Sequence, residues 1–207
     1  MPNRAIVIGL TGNIATGKSS VARLLALLGA DIIDADLVAH QVMCPGTAVH
    51  QSIVEHFGAG ILTSSGEIDR AVLGRIVFAD SAALAVLDRL VHPAVRREAR
   101  RLAHASEKDV VVIEAIKLLE AGMDIDCDEI WVVTAPRSTQ IERLMRRSTL
   151  SYEEARLRVD AQPSQEGKVA GADVIIENGG SLLDTRRQVN LAWKRLIAGR
   201  PPRGVPC

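Results

Sequence analysis

Aromatic side chains are scarce in this 207-residue chain, which carries two Phe, two Trp and one Tyr. Single strands of nucleic acid are usually held by bases stacked on aromatic faces, so that mode of binding is excluded as a main function. An excess of either charge is also lacking. Lys plus Arg number 25 and Asp plus Glu number 25, giving a formal net charge of zero. A surface built for phosphate backbones needs a basic excess. Cysteine is limited to Cys44, Cys127 and Cys207. The number is odd and no pair has C-x-x-C spacing, which describes isolated thiols in a reducing compartment rather than a disulfide framework or a metal site. The apolar run in "MPNRAIVIGLTG" stops before it could serve as a signal-peptide core or a membrane span. A cytoplasmic protein with no membrane or nucleic-acid partner is expected. The sequence fixes no oligomeric state and is compatible with a monomer. Internal repeats and low-complexity segments are missing.

What the chain does have is an alternation of strand and helix patterns. "AIVIGL" is a short β-branched run, and "ADIID", "DVVVIEA", "DEIWVVTA" and "ADVIIEN" read as four further strands. Helical stretches separate them, which predicts an α/β fold with a parallel sheet covered on both faces. "GKSSVARLLALLG" places Val21, Leu24, Leu25 and Leu28 on one helical face, and Gly29 ends the helix. Residues 37–104 are mostly helical, far longer than the dozen or so residues that a crossover needs. They form a helical insertion beside the carboxyl edge of the sheet, where ligands bind in open α/β folds. Residues 137–170 are helical again and rich in Arg, with a capping box at Ser151 and Glu154.

The chemistry begins at "GLTGNIATGKSS". Gly12-x-x-x-x-Gly17-Lys18-Ser19 matches the P-loop pattern, with a strand before it and an amphipathic helix after it. The glycines let backbone N–H groups turn inward toward phosphate oxygens, and the helix start adds its positive end. Lys18 is placed to neutralise the β- and γ-phosphates, and the Ser19 hydroxyl to ligate Mg²⁺. The nucleotide-binding set is Gly12, Asn13, Ile14, Ala15, Thr16, Gly17, Lys18, Ser19 and Ser20. A guanine-reading Asn-Lys-x-Asp is missing from the sequence, which favours ATP. An empty loop is expected to leave Lys18 exposed.

"DIIDAD" puts Asp34 and Asp36 at the end of the second strand, where D-x-D spacing would set both carboxylates on one face. One could take the proton of an attacking hydroxyl or hold Mg²⁺ through water. The bland alternative is that both cap the next helix. Glu114 ends the third strand, at the usual place for an acid that holds metal-bound water, or else it is a solvated strand-end acid; Glu120 is equally open. Of the arginines in 137–170, Arg147 precedes the capping box and is the first choice to stabilise charge on a transferring group. His92 precedes Pro93, which reads as a boundary histidine with Pro starting a new helix. Glu67 to Arg70 reads as a helix cap.

These motifs in this order resemble dephospho-CoA kinase. The carriers are "GLTGNIATGKSS", "DADLVAHQV", "FGAGIL" with "GEIDRAVL", "LVHP" and "AQPSQEGKVAGADVIIENGG", spanning residues 6 to about 191. The resemblance implies a P-loop NTPase-type sheet that transfers the γ-phosphate of ATP, with Mg²⁺, to the ribose 3′-hydroxyl of dephospho-CoA. It implies a nucleotide-binding core at 1–36, 105–136 and 171–199, an acceptor-binding region at 37–104 and a lid at 137–170. Residues 200–207 are expected to be a disordered tail. Asp36 would be the base. Arg70 and His92 would help hold the acceptor, with Glu114 in the wall of that site. Arg147 would reach the phosphates from the lid. Asn178 and Gly179 would pass near the adenine. Two departures stand out: Asn13 and Ala15 replace glycines that are more usual, and "EAIKLLE" replaces a segment usually like Asp-x-Pro-Leu-Leu-x-Glu. A shikimate-type kinase also pairs a P-loop with D-x-D, but usually lacks the long helical insert. A nucleotide-binding module without an acceptor is the remaining alternative.

Overall fold

The computed structural model describes residues 4–198. The tail expected over 200–207 and Cys207 lie outside the described residues.

Five strands form one sheet in the order β2-β3-β1-β4-β5. They are β1 (Ile6–Thr11), β2 (Asp31–Asp34), β3 (Val110–Glu114), β4 (Glu129–Thr134) and β5 (Val174–Glu177). β1 runs parallel to both β3 and β4, and β4 runs parallel to β5. Every residue of β1 is buried, as are Val110–Ile113 of β3 and Ile130–Val133 of β4. Such unbroken apolar runs suit strands that are covered on both faces. One cover comprises α1 (Lys18–Leu27) and α9 (Leu182–Ala198). Val21, Ala22 and Leu25 of α1 and Val189, Ala192 and Leu196 of α9 share a core with Ile8, Leu10, Val112, Trp131 and Val133. Burying each of these large side chains contributes about 1.5–3 kcal/mol. Trp131 is fully buried, and its indole N–H donates to Glu129 Oε2 at 2.8 Å.

Between β2 and β3 come α2 (Ala35–Val42), α3 (Ala48–Phe57), α4 (Arg70–Ala79) and α5 (Ser81–Ala105). After β4 come α6 (Arg137–Ser148), α7 (Tyr152–Asp160) and α8 (Gln165–Val169). The described chain divides into two compact units. Asp34–Leu102 is one, and the residues before and after it are the other. Among the described residues, no helix is long and apolar enough to cross a membrane.

Two expectations are corrected. The D-x-D carboxylates do not share a face of a strand, because β2 ends at Asp34 and Asp36 is already helical. Asp34 is the N-cap of α2, its Oδ1 accepting from Asp36 N at 2.9 Å and Leu37 N at 3.1 Å. Two orphan amides gain a partner only if the chain turns there, which a straight strand would not allow. Pro93 does not start a helix either; α5 continues through it. The apolar stripe of Val91, Ala94, Val95 and Ala99 stays buried across the proline, and His92 Nε2 pairs with Asp88 Oδ1 one turn earlier at 3.2 Å. Together they offset a cost of about 3 kcal/mol for proline inside a helix.

Candidate active site

The loop from Gly12 to Gly17 joins the carboxyl end of β1 to α1. Gly12 has φ 148°, and a Cβ there would stand 2.3 Å from Val133 O; Gly17 has φ 97°, and a Cβ there would stand 2.0 Å from Asn178 Nδ2. Both positions therefore need glycine for conformation and for space. Gly17 caps α1 without a side-chain hydrogen bond, so the helix start leaves its first amides to an anion. Inside the loop, Thr16 Oγ1 donates to Asn13 O at 2.9 Å.

Lys18 is buried, which corrects the expectation of an exposed ammonium. Its Nζ donates to Gly12 O at 3.0 Å and to Asn13 O at 3.4 Å. Loop carbonyls that turn away from the amide side need a donor, and a Lys stem folded back across the loop supplies one.

Ser19 and Glu114 meet at the sheet's carboxyl edge. β1 and β3 are in register with Leu10 opposite Glu114, so the Glu114 carboxylate ends level with the loop, and Ser19 Oγ donates to Glu114 Oε1 at 2.9 Å. A hydroxyl and a carboxylate are hard oxygen ligands of the kind that Mg²⁺ takes, one or two at a time, alongside substrate phosphates. Among the described residues, no group of three or more His, Cys, Asp or Glu could hold a metal ion. The donors present thus fit a metal that is shared with a phosphate rather than a protein-only cage.

The other wall comes from α6 and β5. Arg143 donates through Nη1 to Thr16 O at 2.9 Å and Ala15 O at 3.3 Å, and through Nη2 to Asn178 O at 2.7 Å. Asn178 is buried; its Nδ2 donates to Thr16 O at 2.7 Å and its Oδ1 accepts from Thr185 Oγ1 at 2.8 Å. Beside it, Gly179 lines a cavity of about 520 Å³ with Thr134, Ala135, Pro136, Glu177 and Gln188. A space of that size can take a drug-sized heterocycle. Arg147, the arginine singled out from the sequence, is exposed in the last turn of α6. α6 leaves the sheet edge at Arg137, and each residue moves about 1.5 Å along its axis. Arg143 is thus one turn nearer to the loop, a fact that composition does not carry.

Several further residues had no role in the sequence reading. Gln162 accepts from Ile14 N at 2.7 Å, and Asn13 Nδ2 donates to Pro163 O at 2.8 Å. Lys168 is buried and donates to Ile116 O at 2.7 Å and Glu120 Oε1 at 2.9 Å, which gives Glu120 an ion-pair partner. Contacts this far apart in the chain leave no local signal. Cys127 is pushed up to about 12, mainly by burial and then by Asp126, Asp124 and Asp128, so it stays a thiol.

The Asp34–Leu102 unit carries the remaining candidates. Asp69 caps α4, accepting from Ala71 N at 2.9 Å and Val72 N at 3.0 Å. Arg70, next in sequence, donates to His40 Nε2. His40 lies one turn after Asp36 on α2, an i,i+4 relation that the sequence could have flagged. Desolvation and then the Arg70 charge hold His40 below its usual value, partly opposed by Asp36 and Asp34. The neutral ring can accept from a guanidinium, so direction and geometry agree. Arg70 itself is lowered, chiefly by desolvation. His92 is paired with Asp88 on its own helix.

The family model described as Dephospho-CoA kinase matches residues 6–184. A dephospho-CoA kinase of Symbiobacterium thermophilum is 46% identical over 196 residues, 93% of this chain and 82% of the relative. The solved dephospho-CoA kinase of Campylobacter jejuni superposes with a TM-score of 0.68 at 29% identity, covering 93% of this chain and 98% of that one. A shikimate kinase of Acinetobacter baumannii in complex with shikimate has a TM-score of 0.56 at 17% identity, covering 96% of each chain, a likeness of fold alone.

Proposed function

We infer the reaction from one premise: this chain belongs to the dephospho-CoA kinase family. It is a kinase that phosphorylates the ribose 3′-hydroxyl of dephospho-CoA with ATP, giving CoA and ADP. The shikimate-type alternative keeps only a distant likeness of fold. The observation that carries the reading at the residue level is the loop itself, where Lys18, Ser19 and Glu114 converge on one sheet edge.

In the proposed division of labour, the backbone amides of Gly12 to Ser20 and the start of α1 cradle the phosphates. Lys18 exchanges its carbonyl partners for phosphate oxygens and offsets their charge. Ser19, with Glu114 beside it, would hold Mg²⁺, which when bound would supply charge neutralisation on the transferring group. Asn178 and Gly179 border the space for the adenine. Arg147, exposed on α6, is the lid arginine that reaches the phosphates. Asp36 accepts the proton of the ribose hydroxyl, while Arg70 and His92 hold the acceptor. A cytoplasmic enzyme without nucleic-acid or membrane partners completes the reading.

Coupled detection of ADP tests it. Release must require ATP, Mg²⁺ and dephospho-CoA together, with CoA as the co-product. Equal ADP rates with and without dephospho-CoA would refute the assignment.

A further inference from the structure

Ala15 has φ 58°, a left-handed backbone conformation in the middle of the phosphate loop. Side chains with a Cβ avoid it, so something must hold it. On the N-terminal side, Ile14 N–H donates to Gln162 Oε1 at 2.7 Å. On the C-terminal side, Arg143 takes Ala15 O at 3.3 Å and Thr16 O at 2.9 Å. Asn13 adds a third tie through Nδ2 to Pro163 O at 2.8 Å. Ile14 and Ala15 also pack against Ile141, Leu144 and Ala155, a small core of α6 and α7. The bracing groups lie 128 and 148 residues from the loop in sequence.

We infer that Gln162, together with Arg143, is a positioning residue of the phosphate loop. It keeps Ala15 left-handed, so that the amides following it are arranged before nucleotide arrives. Gln162 is assigned no contact with substrate; it acts through the loop backbone. Its effect should therefore depend on which residue occupies position 15. Glycine enters the left-handed region without a Cβ clash, and with glycine there the brace becomes dispensable. The inference rests on the kinase reading for its kinetic arm and is independent of it for its binding arm.

The experiment places Gln162→Leu, which keeps the bulk and removes the acceptor, in the natural chain and in Ala15→Gly. ADP affinity is titrated calorimetrically, and KM for ATP and kcat are measured with dephospho-CoA. In the natural background, Gln162→Leu should weaken ADP binding and raise KM for ATP by roughly 5–10-fold, with kcat within about twofold. In Ala15→Gly, the same substitution should change both by less than about twofold. Equal losses in the two backgrounds, or no loss in either, overturn the inference. Should Gln162→Leu not fold, Arg143→Lys is compared in the same two backgrounds and read by the same criterion. A chain that binds ADP but does not phosphorylate dephospho-CoA sinks the kinase reading and leaves the ADP titrations to decide the brace. A chain that binds no ADP removes both.

Discussion

Ser19 Oγ and Glu114 Oε1 lie 2.9 Å apart although 95 residues separate them in sequence. The pair joins the phosphate loop to the end of β3, and in the proposed function it would set how strongly a divalent cation is held beside the phosphates. Glu114→Gln keeps the hydrogen bond and removes the charge. The Mg²⁺ concentration for half-maximal activity should rise about tenfold or more, as when a supporting ligand is lost. ADP release measured across a Mg²⁺ titration checks this; an unchanged midpoint would take Glu114 out of the metal site.

Lys18→Ala should lower kcat/KM on the order of 10²-fold or more, since it removes charge where the transferring group develops it. The buried ammonium also holds Gly12 O and Asn13 O, so the empty protein should lose about 1–3 kcal/mol. For a chain of this size that is a fall in Tm of about 2–4 °C per kcal/mol. An unchanged melting curve without nucleotide would mean that the carbonyl bonds contribute nothing.

Asp34 and Asp36 should separate cleanly. Asp34→Ala removes the α2 cap and should cost about 1 kcal/mol of stability. Asp36→Asn should leave stability near that of the parent and lower kcat by roughly 10²–10⁴-fold, the usual worth of a general base. Steady-state kinetics and denaturant titrations on both variants decide it. Full activity in Asp36→Asn would move the base elsewhere.

The His40–Arg70 bond should respond to acid. His40 in the folded chain titrates below its ordinary 6.5, through desolvation first and the Arg70 charge second. Folding therefore favours the neutral ring, and the associated stability is present above pH 6.5 and is lost as pH falls through the lowered folded value. Protonated His40 can no longer accept from Arg70. KM for dephospho-CoA should rise as pH falls through that lowered folded value and lose that pH dependence in His40→Asn. A pH profile identical in the two proteins would separate His40 from the acceptor side.

Much of the sheet was legible because its physics is local. Val110 to Ile113 and Ile130 to Val133 are runs of β-branched or bulky apolar residues, and such a run allows few readings other than a strand covered on both faces. The loop was legible for the same reason, since Gly12, Gly17, Lys18 and Ser19 are neighbours in sequence. Elsewhere a local rule lost to a stronger competitor. Pro93 argued for a helix boundary, but the apolar stripe on either side of it outweighed the missing hydrogen bond. D-x-D spacing argued for one face, but the capping bonds of Asp34 turned the chain first. Asn178 was marked by its "ENGG" run and Arg143 only by its Arg-rich segment, whereas Gln162 and Lys168 act on residues far away in the chain and nothing in their own neighbourhoods marks them.

Trp131, sealed in β4, has one companion indole, Trp193 on α9, which packs partly buried against the same core. The single tyrosine, Tyr152, opens α7. All three therefore fall outside Asp34–Leu102, whose ring chromophores are limited to Phe57, Phe78 and histidines. Intrinsic fluorescence excited selectively at the indoles will consequently follow the loss of the unit that holds the sheet rather than of the helical unit. Far-ultraviolet dichroism, dominated by helices, sees both. A denaturation curve in which dichroism falls before emission shifts would mean that the Asp34–Leu102 helices come apart while the strands and the loop they present stay intact; superimposable curves would mean that the two units unfold as one.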